Sequence, residues 1–307
     1  MTYAAAIDIG THSALLLVAQ CRGNRVEPQI DLARTTKLGA SLTSTQLIHP
    51  EAIERLVAVL KTYQAILSEY PIERLEVFGT AALRLAENAA ACRQAIADTF
   101  GWSLRILSGD EEADYTFRGV SQLFSGETGA DVEAAPEVLA IDIGGGSTEI
   151  IRGTPGRIRN QWSIPVGAVL LKQQFHPGDC LTAPALEQMG QFLTNHFAVV
   201  EAGGSPRQVF VTGGTATTVA ALLQDMADYD FRRIDGFYCS AHDLDMLFRE
   251  LNSLTTQQRA DLRGMEPGRA DVIVPALVIL RTLLGHLGAA AMTVTNRGAR
   301  YGILSVN

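Results

Sequence analysis

Lysine is scarce in this chain: Lys37, Lys61 and Lys172 are the only three, and every other basic side chain is an arginine. Genome composition explains such a bias, and bidentate phosphate binding is compatible with it. Cysteine is thin as well. Cys21, Cys92, Cys180 and Cys239 stand apart with no CxxC spacing, so they read as reduced thiols of a cytoplasmic protein. No apolar run is long enough for a membrane span, since Pro275 and Arg281 interrupt the best one, Val272 to Leu284. The start carries no positive charge and Asp8 breaks its first apolar run, which argues against a secretory signal. Positive charge is also in deficit. With 25 basic and 33 acidic residues the net charge is −8, which argues against a general DNA or RNA binder. A polyanion bound here would need a local basic site and metal ions. The P-loop pattern, HExxH and GxSxG are all missing, and the six histidines show no ligand spacing.

What is present is a repeat. The segment Ala4 to Ser13 matches Val138 to Ser147: an apolar strand, Asp-Ile-Gly, a turn of small residues, a serine and a return strand. The aspartates, Asp8 and Asp142, lie one domain length apart, which implies duplication of a βββαβ unit. Strands are expected at 15–20, 26–32, 75–78, 104–107, 138–142, 147–152, 158–164 and 208–212. Pro50 opens a helix whose apolar face is Ile53, Leu56, Val57, Leu60, Ile66 and Leu67. Further helices are expected near 183–199, 215–224, 241–252 and 269–286. Residues 123–136, acidic and glycine-containing, read as a linker or exposed hairpin. Mixed sheets flanked by helices make an α/β protein of two lobes.

Four stretches carry chemistry. Gly10-Thr11-His12-Ser13 and Gly144-Gly145-Gly146-Ser147 offer converging backbone N–H groups and hydroxyls to phosphate oxygens, with an aspartate able to hold a divalent metal. One copy alone would pass for a hairpin turn; two copies favour phosphate. Val211-Thr212-Gly213-Gly214-Thr215 runs from a strand into a helix whose N-terminus suits a phosphate or nucleotide, although an ordinary turn looks the same. In Ser108-Gly109-Asp110-Glu111-Glu112, Ser108 and Glu111 have capping-box spacing. Glu112 points about 100° away and can act as a base on water; spacing alone favours a solvated first-turn glutamate. Arg84, after the turn Gly79-Thr80-Ala81, can reach a phosphoryl group, with Asn88 expected one helical turn on; in isolation it reads as a surface arginine.

The order DIGTHS, GTAALR, SGDEEA, DIGGGSTEI, VTGGTAT, PGRADVI and GARYG resembles the Ppx/GppA phosphatases, relatives of actin, sugar kinases and heat-shock chaperone ATPases. The resemblance runs from residue 6 to residue 304. It implies two ribonuclease-H-like (actin-like) domains around a central cleft: residues 1–124, joined by a C-terminal helix at 298–307, and residues 136–297. It implies an exopolyphosphatase-type hydrolase that releases terminal orthophosphate from polyphosphate or guanosine pentaphosphate. Glu112 is implied as the catalytic base and Arg84 as its catalytic partner. Asp8, Gly10, Thr11, Ser13, Gly144, Gly145, Gly146, Ser147, Lys37, Gly213, Gly214 and Arg300 are implied as phosphate-binding. Mg²⁺, with Mn²⁺ as a substitute, is implied near Asp142, Asp8 and Glu112. A homodimer without nucleic-acid or membrane partners is expected. His12 stands where asparagine is usual and Tyr301 where glutamate is common. Longer members carry an added helical region beyond the end of this chain, so short chains are the expected substrates. An ATP-dependent kinase of the superfamily and a non-catalytic sensor are the alternatives.

Overall fold

The computed structural model describes residues 2–123, 137–175, 178–201, 208–266 and 268–306. The chain divides into two units, Met1–Glu127 with Arg297–Asn307, and Thr128–Asn296. The segment expected as a linker lies, from residue 124 onward, outside the described residues.

The first unit runs β1 (Tyr3–Ile9), β2 (Ser13–Arg22), β3 (Arg25–Thr35), α1 (Leu42–Thr45), α2 (Pro50–Leu67), β4 (Ile72–Gly79), α3 (Ala81–Leu85), α4 (Ala89–Phe100), β5 (Arg105–Ile106) and α5 (Gly109–Ser121). Its sheet has the order β3-β2-β1-β4-β5. Strand β1 pairs antiparallel with β2 and parallel with β4. The chain therefore leaves β1 in one direction and resumes at β4 in the other, a switch point that opens the C-terminal ends of these two strands to a ligand.

The second unit runs β6 (Val138–Ile143), β7 (Thr148–Thr154), β8 (Arg157–Ile164), α6 (Ala168–Phe175), α7 (Ala183–Phe197), β9 (Gln208–Thr212), α8 (Gly213–Leu223), α9 (Phe231–Ile234), β10 (Phe237–Ser240), α10 (Ala241–Ser253), α11 (Thr256–Ala260), α12 (Ile273–His286) and β11 (Ala291–Val294). The sheet order is β10-β11-β9-β6-β7-β8. Apart from edge strand β10, it repeats the first sheet, with β6, β7, β8, β9 and β11 in the places of β1 to β5. The last helix, α13 (Ala299–Leu304), belongs to the first unit.

Local sequence explains most boundaries. Pro50 occupies the first turn of α2, where its missing N–H costs no bond. The buried stripe of α2 is Ala52, Leu56, Leu60, Tyr63 and Leu67; Ile53, Val57 and Ile66 flank it, so the face is turned from the one expected. Helix α12 begins at Ile273, not 269, because Arg269 and Val272 lie in a turn closed by Val272 N–H to the Arg269 carbonyl at 2.9 Å. Its apolar residues are buried in the core of the second unit. Strands β10 and β11 and helix α6 carry no strong local pattern and were not expected. Among the described residues no helix is long and apolar enough to cross a membrane.

Helix α2 is tied to the sheet by the buried Tyr63 hydroxyl, which donates to the Ala14 carbonyl at 2.7 Å. Tyr63→Phe removes this bond and leaves the carbonyl without that donor, at a cost of about 1–2 kcal/mol. Denaturant unfolding measures it; an unchanged midpoint would show that the bond contributes nothing.

Candidate active site

The first expected phosphate loop joins β1 to β2. Gly10 N–H donates to the Ser13 carbonyl at 3.0 Å, closing the turn. Thr11, His12 and Ser13 are buried. The outward carbonyls of the turn are taken up by a second segment: Thr36 and Lys37 N–H donate to His12, and Gly39 N–H donates to Thr11. Lys37 adopts a left-handed conformation (φ 50°), and a side chain on Gly39 would overlap the Thr11 methyl. Lys37 is thus held beside the loop by backbone bonds that sequence spacing does not reveal.

Arg84 and Glu112 meet. Thr80 N–H donates to the Ile9 carbonyl where β4 ends, and Leu107 N–H to the Gly79 carbonyl, so the ends of β1, β4 and β5 lie side by side. Arg84 Nη1 donates to the Leu107 carbonyl at 3.0 Å and to Glu112 Oε2 at 2.6 Å. Their side chains are 21% and 11% exposed. The capping box forms as its spacing predicts: Ser108 Oγ accepts from Glu111 N–H at 3.1 Å, and Glu111 accepts from Ser108 N–H at 2.8 Å. Glu111 also pairs with Arg105. These contacts, the Ser108 N–H first, hold the Glu111 carboxyl below its usual range. Glu112 behaves oppositely. Burial pushes its pKa up, and the Arg84 charge only partly offsets this. The plainer expectation of a solvated glutamate and a surface arginine is therefore corrected. Asn88 is corrected too: α3 ends at Leu85, and the Asn88 amide bonds both the N–H and the carbonyl of Ile48 at 2.9 Å.

The second loop, between β6 and β7, repeats the closing bond of the first. Gly144 N–H donates to the Ser147 carbonyl at 3.0 Å. Its outward carbonyls are again capped, here by the start of α6: Ala168 N–H donates to Gly144 and Val169 N–H to Gly145. Asp142 lies opposite Glu149 on β7 and Thr212 on β9. Gly213 has φ 86°, and any side chain there would overlap Asp142 Oδ1. Only glycine lets the turn close over that carboxylate. At Gly214 the neighbour is the Arg269 guanidinium, itself paired with Glu266.

Sequence reasoning missed Glu149 and Arg269. Glu149 is buried and accepts from Ser163 Oγ at 2.9 Å. Directly opposite residues on antiparallel strands project to one face, so Asp142 and Glu149 form a carboxylate pair. The position of Glu149 in the first unit is held by Leu15, opposite Asp8. That difference between the two copies was the available signal.

Among the described residues no three His, Cys, Asp or Glu side chains form a metal cage. Mg²⁺ does not require one, because it is commonly held by one or two carboxylates together with substrate phosphates and water. The Asp142–Glu149 pair beside a glycine turn fits that donor set.

Arg300, expected to bind phosphate, is committed elsewhere. It is 8% exposed, and its Nη1 donates to Asp31 Oδ1 at 2.6 Å. Tyr301 donates to the other oxygen of Asp31 at 2.8 Å.

Two units of one topology, each with a glycine turn at the ends of its paired central strands, define an α/β protein of the actin-like, ribonuclease-H-like class. The model of the Ppx/GppA phosphatase family matches residues 17–306. Exopolyphosphatase 2 of Mycobacterium tuberculosis is 31% identical over 99% of this chain and 98% of its own. A bifunctional 3-dehydroquinate synthase/phosphatase of Fusobacterium nucleatum is 26% identical over 98% of this chain and 46% of its own. Among solved structures, an exopolyphosphatase of Cytophaga hutchinsonii superposes with TM-score 0.87 at 25% identity, covering 98% of this chain and 96% of its own. The Aquifex aeolicus member of the Ppx/GppA family gives 0.79 at 26%, covering 99% and 96%. This chain belongs to the Ppx/GppA phosphatase family. It is an enzyme, a hydrolase of phosphoanhydride bonds.

A base works only when ionised; were Glu112 that base, activity would be lost as pH falls through its raised pKa. Arg84 opposes that rise. Arg84→Gln removes the opposing charge, and the acid limb of kcat/KM against pH moves to higher pH. A limb that stays put or moves to lower pH would show that this ion pair does not set the titration.

Proposed function

We propose that this chain releases terminal orthophosphate from inorganic polyphosphate by attack of water on the terminal phosphorus, with Glu112 as general base. The observation that carries the reading is the 2.6 Å contact between Arg84 and a buried Glu112 in the unit that also holds the first phosphate loop. Glu112 takes a proton from water as the new oxygen–phosphorus bond forms. The phosphoanhydride bond breaks, and the electron pair leaves on the oxygen of the shortened chain. Glu112 then returns its proton to solvent. Arg84 orients the carboxylate and offers planar donors to the phosphoryl oxygens.

The N–H groups and hydroxyls of Gly10, Thr11, Ser13, Gly144, Gly145, Gly146 and Ser147, with Lys37 and the Gly213-Gly214 turn, hold phosphate oxygens in this reading. Asp142 and Glu149 would hold Mg²⁺, which would supply positive charge against developing negative charge. Positioning and charge stabilisation then carry most of the rate. Guanosine pentaphosphate ends in the same linkage and belongs to the same reading; phosphate release from both substrates side by side ranks them. The four free thiols support a cytoplasmic location. A homodimer is proposed on the family resemblance alone.

Glu112→Gln should lower turnover by about 10²–10⁴-fold with little change in KM. Glu111→Gln should cost far less, because Glu111 caps the helix. Equal losses would remove the assignment. Asp142→Ala and chelation by EDTA should each abolish release, with Mg²⁺ or Mn²⁺ restoring the chelated wild type; full activity in chelator would refute the metal.

The net charge of −8 disfavours a long polyanion lying across the general surface. We therefore expect kcat/KM per chain end to stop rising after short oligophosphates. A gel time course should show a ladder of intermediates, and complete digestion of some long chains while others stay untouched would contradict this.

A further inference from the structure

We propose that α13 is the positioning element of the catalytic helix α5, with Arg300, Tyr301 and Gly302 setting the place of Glu112. The inference rests on Glu112 as the base. All six residues of α13 are buried. A side chain on Gly302 would overlap the Tyr115 carbonyl. Tyr115 follows Glu112 by three residues, so it belongs to the same face of α5. Higher on α5, a side chain on Gly119 would strike the carbonyls of Gly298 and Arg297. Backbone thus meets backbone at two points, with no flexible side chain between to absorb a shift.

Helix α13 is in turn anchored to the sheet. Arg300 and Tyr301 occupy both oxygens of Asp31, a buried residue of β3. Arg74 of β4 donates to the carbonyls of Ile303 and Val306. Arg297 Nη1 donates to the Val26 carbonyl at 3.3 Å and to Gln122 at 3.2 Å. Leu107, whose carbonyl holds Arg84, packs in one cluster with Ala299, Tyr301, Ile303 and Leu304. Both partners of the Arg84–Glu112 pair are therefore backed by α13, Arg84 through Leu107 and Glu112 through α5. Arg300 acts in catalysis at a distance, through α13, and does not touch phosphate.

The test is steady-state kinetics on a short polyphosphate. Tyr301→Phe deletes one hydroxyl and keeps the ring. It should lower kcat several-fold and leave KM unchanged, while the protein stays folded by circular dichroism. Gly302→Ala, which forces α5 to move, should cost about 10²-fold in kcat, the loss expected of a misplacement near 1 Å. In a Glu112→Gln background, Tyr301→Phe should cause no further loss, since the group it positions is gone. A Tyr301→Phe enzyme with wild-type kcat overturns the proposal. So does a rise in KM without loss of kcat, which would mark a substrate contact, or an undiminished loss in the Glu112→Gln background. If Glu112→Gln itself runs at the wild-type rate, the base assignment falls and this proposal falls with it; the single variants tell the two failures apart.

Discussion

A carboxylate taken out of water beside one guanidinium is the constraint around which the first unit is built. Glu112 is 8% exposed and Arg84 lies 2.6 Å away. Burying an ionised carboxylate is costly unless a partner of opposite charge is held in good geometry. The partner is held: the same Nη1 of Arg84 also donates to the Leu107 carbonyl, which follows β5. The penalty left over keeps the Glu112 proton more tightly bound than in an ordinary glutamate. Its neighbour Glu111, one residue away, is half-buried, caps the Ser108 N–H and pairs with Arg105, and its carboxyl is displaced in the opposite direction. Adjacent glutamates have been given different chemistry by environment alone.

The two units show what duplication conserves and what it lets diverge. The Gly10–Ser13 and Gly144–Ser147 bonds are the same, and in each unit a later segment satisfies the turn's outward carbonyls. The copies differ where Leu15 and Glu149 occupy matching places opposite Asp8 and Asp142. The second unit therefore carries two carboxylates where the first carries one. The difference lies in side chains set on one common backbone.

Glycine determines how closely these parts approach. At Gly213 the backbone closes over Asp142, at Gly214 it receives Arg269, and at Gly302 it meets α5. A methyl group at Gly302 meets backbone that is already packed and cannot yield by small amounts, whereas at Gly214 it meets only the end of the Arg269 side chain. The short α13 is long enough for its task because it is fixed by contacts on every face, not by its own helical propensity.

Much of this protein was legible in its amino acids. The Asp-Ile-Gly repeat announced a duplication, Pro50 and Ser108–Glu111 announced helix starts, and the ordered motifs announced the family. Those signals are local: they depend on residues a few positions apart, whose geometry the backbone dictates. Strands β10 and β11 escaped notice because four residues carry too little pattern. The decisive contacts are not local. Arg84 and Glu112 are 28 residues apart, and Asp31 and Arg300 are 269 apart. Asp142 faces Glu149 only because β6 and β7 pair in one register, and a slip of one residue would send the two carboxylates to opposite faces. The sequence by itself determined which chemical groups the protein possesses. Register and packing decided which of them meet, because those depend on the whole chain being folded at once.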